Sequence, residues 1–192
     1  MKNQILVYIF DGYADWEPAY ACAELNAPTA KYSVKTISHD LEPKTSMGGF
    51  RVLPDYSVHE FPREFSILIL AGGFAWMEQE NDDVLPVVQY SVQHHIPVAA
   101  ICNAANFMAE HGYLDQVKHT GNTLDFMRSQ APHYKGERNF IERQAMSDNG
   151  IITANGSSAL EFAREILMLL KVRPEEEIQR WYMENKQGFY PA

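Results

Sequence analysis

Cys102 ends a short apolar run and directly precedes a stretch of helix-forming residues. Residues 98–101 predict a buried strand and residues 103–109 predict a helix, so the cysteine occupies the turn between them. Its sulfur would lie at the positive end of the helix dipole, on a sharp turn that exposes the side chain above the sheet. Such a position lowers the pKa of a cysteine from about 8.5 and favours a nucleophilic thiolate. The alternative interpretation is a small buried hydrophobic residue, as most free cysteines are.

Glu17 and the pair Gly72-Gly73 follow two other predicted strands. Glu17 falls in the first turn of a helix predicted after strand 4–10, and the glycines follow the buried strand 66–70. In a parallel sheet, ligands bind beyond the carboxyl ends of the strands, so we expect Glu17, Gly73 and Cys102 to converge at one edge. Simpler explanations exist, because Glu17 could stabilise a helix N-terminus and the glycines could form a tight turn.

Two further groups of polar residues are weaker candidates for chemistry. Ser157 and Ser158 precede a predicted helix, and Ser158 with Glu161 has the spacing of a capping box, which explains the serines without a nucleophilic role. His94 and His95 lie at a predicted helix C-terminus, where adjacent residues do not face one another, so we interpret them as surface residues. The glycine pair matches no phosphate-loop or dinucleotide-binding motif. The sequence therefore predicts no metal site and no cofactor.

Strand-like and helix-like segments alternate along the chain. Strands are predicted at residues 4–10, 31–38, 66–70, 98–101 and 150–154, and helices at 16–26, 82–94, 103–111 and after residues 158 and 174. Asp15 is a predicted helix N-cap, and residues 47–54 predict a glycine-started hairpin or extended arm. Asp148-Asn149-Gly150 predicts a hairpin turn. The fold class is therefore α/β: a doubly wound, mostly parallel sheet flanked by helices.

Length and composition restrict the function classes. The 192 residues fit one domain, spanning 1–192, and the 46% hydrophobic and 21% charged residues are typical of a globular protein. No apolar run approaches the roughly 20 residues of a membrane span. The net charge of −9 repels nucleic acid. Two cysteines predict reduced thiols rather than a disulfide framework, and the strand-like start leaves no room for a signal peptide, so we expect a cytoplasmic protein.

The sequence resembles the ThiJ/PfpI superfamily of class I glutamine amidotransferase-like proteins, which includes PfpI-type intracellular proteases and protein deglycases. The matching segments are Asp11-Gly12 with Glu17, Leu70-Ala71-Gly72-Gly73, Ala99-Ala100-Ile101-Cys102, and residues 109–114, 117–120, 151–156 and 159–163. They cover most of the chain in the expected order. The resemblance implies a flavodoxin-like, class I glutamine amidotransferase-like sheet, a homodimer, and a small-molecule or peptide substrate.

The resemblance also implies roles for individual residues. Cys102 would be the nucleophile-elbow cysteine, and Glu17 the protonated carboxyl group that hydrogen-bonds its sulfur. Backbone amides of Gly73 and Asn103 would form an oxyanion hole. For the dimer, an interface could be supplied by Trp181 with Tyr182 or by the arm near residues 47–52.

The sequence departs from the family pattern at the position of the base. PfpI-type proteases carry histidine directly after the cysteine, where this chain has Asn103. Deglycase-like members place a histidine two residues beyond a threonine after the cysteine-bearing helix, and the corresponding residue here is Asn122. His119 lies three residues earlier, and no late His-x-Glu triplet occurs. The sequence thus gives no complete cysteine-histidine-acid triad.

Three functions remain open from the sequence. The first is a cysteine enzyme, hydrolase- or amidotransferase-like, whose Cys102 thiolate attacks a small carbonyl, amide or glycated substrate. The second is a redox-responsive or stress-associated protein whose thiolate is oxidised without turnover. The third is a ligand-binding protein that keeps an enzyme fold without its activity.

Overall fold

A seven-stranded sheet forms the centre of the molecule in the computed structural model, which describes residues 2–78 and 81–190. In chain order the sheet contains β1 (Asn3–Tyr8), β2 (Tyr32–Ser38), β5 (Tyr56–Ser57), β6 (Leu68–Leu70), β7 (Val98–Ile101), β8 (Ala145–Asp148) and β9 (Ile151–Ala154). The spatial order is β5-β2-β1-β6-β7-β9-β8. Every neighbouring pair is parallel except β8 with β9. The predicted α/β class with a mostly parallel, helix-flanked sheet is confirmed; the predicted domain span 1–192 includes residues 1, 79–80 and 191–192, which lie outside the described residues.

In the part of the chain that the structure describes, six α-helices flank the sheet. They are α1 (Trp16–Leu25), α2 (Leu85–Gln93), α3 (Asn103–Glu110), α4 (Leu124–Gln130), α5 (Ala159–Leu169) and α6 (Glu175–Gln187). Helix α5 packs against both α1 and α6, and α3 packs against α4. None of the helices in the described ranges is long and apolar enough to cross a membrane.

The central strands are buried because their sequences are almost continuously apolar. Every residue of β6 and of β7 is completely inaccessible to solvent. Such runs are typical of parallel strands that are covered on both faces. The three strands β1, β6 and β7 are neighbours in the sheet, so the loops that follow them emerge side by side.

Two hairpins interrupt the alternation of strands and helices. Asn149 and Gly150 join β8 to β9 with φ angles of 47° and 79°, both in the left-handed region that a two-residue turn of this hand requires. The hairpin predicted from these residues is confirmed. The hairpin predicted at residues 47–54 begins earlier than expected: β4 (Arg51–Val52) pairs antiparallel with β3 (Lys44–Thr45), which precedes the predicted segment, in a small hairpin outside the main sheet.

The capping box predicted for α5 is wrong. Ser158 does occupy the N-cap position, but its side chain caps no backbone N–H. Its Oγ lies instead 2.7 Å from Oε1 of Gln144, and Glu161 accepts hydrogen bonds from Tyr182 and Lys186. These partners are distant in sequence, so tertiary contacts override the local motif.

Asp15 precedes α1 as predicted but does not cap it with its side chain. Its carboxylate accepts the backbone N–H of Gly48 at 2.8 Å. The side chain therefore fastens the β3–β4 hairpin beside the N-terminus of α1.

Candidate active site

Cys102 lies on a strained turn between β7 and α3. Its φ of 58° and ψ of −126° are rare for a residue with a side chain. Two hydrogen bonds hold this conformation: the Cys102 N–H donates to the carbonyl of Ala154 at 2.9 Å, and the N–H of Ala105 donates to the Cys102 carbonyl. The turn has the strand-to-helix form of a nucleophile elbow, and the cysteine is partly exposed.

Glu17 contacts the sulfur of Cys102 from the first turn of α1. Its side chain is only 1% exposed, and it forms a hydrogen bond with the Cys102 thiol. Its Oε2 accepts the backbone N–H of Gly72 at 2.7 Å. The loops after β1, β6 and β7 thus bring Glu17, Gly72 and Cys102 together, at the edge of the sheet where parallel strands end.

Two glycines give the Cys102–Glu17 pair its space. A Cβ atom on Gly156 would lie 2.8 Å from the Cys102 sulfur, and one on Gly72 would lie 2.7 Å from the Cys102 Cβ. Both distances are shorter than van der Waals contact, so any larger residue would displace the pair. Sequence reasoning did not identify Gly156 as a site residue. It follows β9, the strand next to β7, and therefore lies at the same edge of the sheet as Cys102.

Asn122 hydrogen-bonds the sulfur from another side. Its Nδ2 lies 3.6 Å from the Cys102 sulfur, and its Oδ1 accepts the N–H of Gly156 at 2.9 Å. The second bond fixes which end of the amide faces the sulfur. The Asn122 amide therefore donates a hydrogen bond to the sulfur. Unlike a histidine imidazole, it cannot accept the thiol proton.

Asn103 contributes both its backbone and its side chain to the elbow. Its backbone N–H donates to the Cys102 sulfur, and its Nδ2 donates to the carbonyl of Gly73 at 3.1 Å. Asn103 and Gly73, the two residues predicted to form an oxyanion hole, are therefore joined directly.

His119 is part of the core and does not contact the sulfur. The residue is completely buried, and its Nδ1 lies 2.7 Å from the carbonyl of Val117 while its Nε2 lies 2.5 Å from the hydroxyl of Tyr134. A carbonyl can only accept, so Nδ1 donates and Nε2 accepts the Tyr134 proton. Burial lowers the pKa of His119. Within the described residues no histidine hydrogen-bonds Cys102.

Burial dominates the proton affinities of the two central groups. It raises the pKa of Glu17 to about 7, despite the hydrogen bonds from Gly72 and Cys102. Burial and the neighbouring Glu17 carboxylate raise the pKa of Cys102 to about 11, against the hydrogen bonds from Asn122 and Asn103. The direction for Cys102 is opposite to the one predicted from the helix N-terminus alone. The two groups titrate as a pair, which carries one negative charge between about pH 7 and about pH 11.

A cavity of about 420 Å³ shares Asn122 with this site, although neither Cys102 nor Glu17 lines it. Its lining includes Asn122, which contacts the sulfur, and Asn155, which precedes Gly156. This volume lies within the range of small-molecule sites. Among residues 2–78 and 81–190, no group of three or more His, Cys, Asp or Glu side chains could hold a metal ion.

Comparison with known proteins identifies the family of the chain. The model of the DJ-1/PfpI family matches residues 3–169. The chain belongs to the DJ-1/PfpI family. A Bacillus subtilis relative, named as the uncharacterized protease YdeA, is 37% identical over 98% of this chain and 93% of its own length.

Two solved structures of the same superfamily are similar over nearly the whole chain. A ThiJ/PfpI family protein from Bacillus anthracis is 36% identical, with a TM-score of 0.90 over 97% of this chain and 91% of that chain. A DJ-1 superfamily protein from Agrobacterium tumefaciens is 32% identical, with a TM-score of 0.87 over 96% of this chain and 99% of that chain. The family and the fold that the sequence motifs predicted are both confirmed.

Proposed function

We propose that the protein is a cysteine-dependent hydrolase that attacks a small carbonyl, amide or glycated substrate with the sulfur of Cys102. Glu17, rather than a histidine, exchanges the proton. Cys22 and Cys102 are both free thiols, which suits a reducing cytoplasmic location. The name of the Bacillus subtilis relative, an uncharacterized protease, fits a hydrolytic reaction.

The observation that carries the proposal is the buried Cys102–Glu17 hydrogen bond on a strained elbow. Strain at a residue with a side chain persists only where the surrounding structure enforces it, and it is typical of functional sites. The pKa of Glu17, raised to about 7, is that of a general base or acid near neutral pH. A purely structural cysteine needs neither feature.

The geometry supports the following sequence for an amide. The Glu17 carboxylate accepts the thiol proton as the Cys102 sulfur bonds to the carbonyl carbon, and the carbonyl electron pair moves to oxygen. The N–H groups of Asn103 and Gly73 donate to that oxyanion. The C–N bond then breaks, and the leaving amine takes the proton from Glu17. Water next attacks the thioester, with Glu17 as the base, and releases the acid and the thiol.

Acylation by p-nitrophenyl acetate tests the proposal. Wild-type protein should release one equivalent of p-nitrophenolate in a burst, with a rate that rises with pH through about 7 as Glu17 ionises. Cys102→Ser should abolish the burst. Cys22→Ser is the matched control, because burial raises the pKa of that thiol to about 12 and it should not react.

The pH profile distinguishes the roles of the two groups. Glu17→Gln should remove the inflection near pH 7 and leave a rate that rises only at alkaline pH, where Cys102 ionises by itself. Glu161→Gln, the same change at another buried helical glutamate, should keep the inflection. A burst retained by Cys102→Ser, or an unchanged profile for Glu17→Gln, would refute the proposal.

One observation favours oxidation of Cys102 as a second candidate function. The sulfur faces the Asn122 amide, the Asn103 N–H and, when protonated, the Glu17 carboxyl, all of which donate hydrogen bonds. The same donors would stabilise the oxygens of a sulfenate or sulfinate. Intact mass after mild peroxide decides between the functions: if Cys102 gains no oxygen while it still reacts with p-nitrophenyl acetate, the redox candidate fails.

We also propose that the chain forms a homodimer through the β3–β4 hairpin rather than through α6. Phe50 and Leu53, on and beside that hairpin, are 63% and 68% exposed. Trp181 and Tyr182 of α6 are half-buried, and the Tyr182 hydroxyl is bonded to Glu161 in the same chain. Sedimentation should show a dimer for wild type and a monomer for Phe50→Ser.

A further inference from the structure

Asn122 is held against the sulfur of Cys102 by contacts at both ends of its amide. Its Oδ1 accepts the N–H of Gly156 at 2.9 Å, and its Nδ2 lies 3.6 Å from the sulfur. The residue itself belongs to a loop, residues 120–123 directly before α4, that forms neither helix nor strand. Regular secondary structure therefore does not fix the backbone of Asn122, and tertiary contacts of the loop must place its amide.

Two buried threonines anchor this loop to the sheet. Thr120 donates its backbone N–H to Oγ1 of Thr153 at 2.7 Å, and its own hydroxyl donates to the carbonyl of Arg143 at 2.8 Å. Both threonines are only 1% exposed. Thr153 belongs to β9, the strand beside β7, and β9 leads directly into the turn that contains Gly156. The same strand therefore fixes the start of the loop and the oxygen end of the Asn122 amide.

We propose that Thr153 is a positioning residue, whose side-chain oxygen acts through Thr120 and Asn122 to hold a hydrogen-bond donor against the Cys102 sulfur. A donor in this place stabilises the thiolate relative to the thiol, because hydrogen bonding to the charged form of a group favours that form. Valine has the shape of threonine without the hydroxyl, so it would fulfil a packing role but not this one. The effect of Thr153 on the sulfur rests on these contacts alone; its effect on catalysis rests on the proposed function.

Alkylation of Cys102 by iodoacetamide at about pH 8, followed by peptide mass, tests the proposal, because its rate depends on the thiolate and requires no hydrolytic turnover. Thr153→Val should leave the Thr120 N–H without its acceptor and release the Asn122 amide from the sulfur. Loss of one hydrogen bond to the anion should lower the thiolate fraction about tenfold. A thiolate of higher pKa is a stronger nucleophile, which offsets part of this loss, so alkylation should slow by about threefold.

Further variants separate positioning from a general loss of structure. Thr153→Ser keeps the acceptor and should restore the wild-type rate. Asn122→Ala removes the donor itself, so adding Thr153→Val to it should slow alkylation no further. Ser91→Ala is the matched control, because it removes another buried hydroxyl bond, at 2.8 Å to the Val87 carbonyl inside α2, and should leave the rate unchanged. If Thr153→Val does not fold by circular dichroism, Thr153→Ala removes the same acceptor and takes its place.

The outcomes distinguish this proposal from the proposed hydrolysis. Equal alkylation rates for wild type and Thr153→Val, no recovery in Thr153→Ser, or a further loss in the Asn122→Ala background would overturn the positioning role, even where p-nitrophenyl acetate acylates Cys102. If the expected alkylation rates are found while p-nitrophenyl acetate does not acylate Cys102, the positioning role stands and the hydrolytic function is refuted.

Discussion

Replacing Glu17 with glutamine should stabilise the folded protein above neutral pH. The side chain is 1% exposed, and burial raises its pKa to about 7 from an ordinary value of 4.5. Glutamine has the same shape, still accepts the N–H of Gly72, and presents an N–H to the Cys102 sulfur. The substitution therefore removes a buried charge and leaves the packing in place.

The sign and size follow from proton binding. Between pH 4.5 and about 7 the folded chain keeps a proton on Glu17 that the unfolded chain has lost, so the free energy of unfolding falls as pH rises through this window. Each tenfold difference in proton affinity corresponds to about 1.4 kcal/mol. Above this window, Glu17→Gln should therefore raise the free energy of unfolding by about 3 kcal/mol. Below this window the Glu17 carboxyl is protonated in both the folded and the unfolded chain. The free energy of unfolding gained by Glu17→Gln should therefore vanish.

Urea unfolding of wild type and Glu17→Gln at about pH 5 and about pH 8 measures this difference. Glu161→Gln is the control with the opposite sign. Burial alone would raise the pKa of Glu161, but hydrogen bonds from Lys186 and Tyr182 lower it, so its loss should destabilise the protein and do so more at the higher pH. A Glu17→Gln variant that is no more stable than wild type at the higher pH would refute the reasoning.

Three further outcomes are expected. Gly156→Ala should abolish acylation of Cys102 while the protein remains folded by circular dichroism, because the new Cβ would lie 2.8 Å from the sulfur. Tyr134→Phe should lower the free energy of unfolding by about 1–3 kcal/mol, since it leaves the buried His119 acceptor unpaired, and should not alter the acylation rate. Gly150→Ala should cost about 1–2 kcal/mol in urea unfolding, because its φ of 79° is unfavourable for any residue with a Cβ.

Local sequence signals were sufficient for the fold and for part of the site. The apolar runs of β6 and β7, and the Asn149-Gly150 turn, act through neighbouring residues, so their pattern alone predicts the structure. The same holds for the elbow position of Cys102, which needs only a strand, a turn and a helix in succession.

Partners distant in sequence were not predictable in the same way. Ser158 and Glu161 have a capping-box spacing, yet Gln144 and Lys186 take their hydrogen bonds. The contact of Asn122 with the sulfur depends equally on where the chain returns to the sheet edge.

The sequence by itself determined the family, the order of strands and helices, and the cysteine at the elbow, because periodicity and turn chemistry are local properties. Only the tertiary structure decided that burial raises the pKa of Cys102 rather than lowering it, and that Asn122 rather than His119 faces the sulfur. Proton affinity is set by the water and charges that surround a group in space, and those surroundings come from segments far apart in the chain.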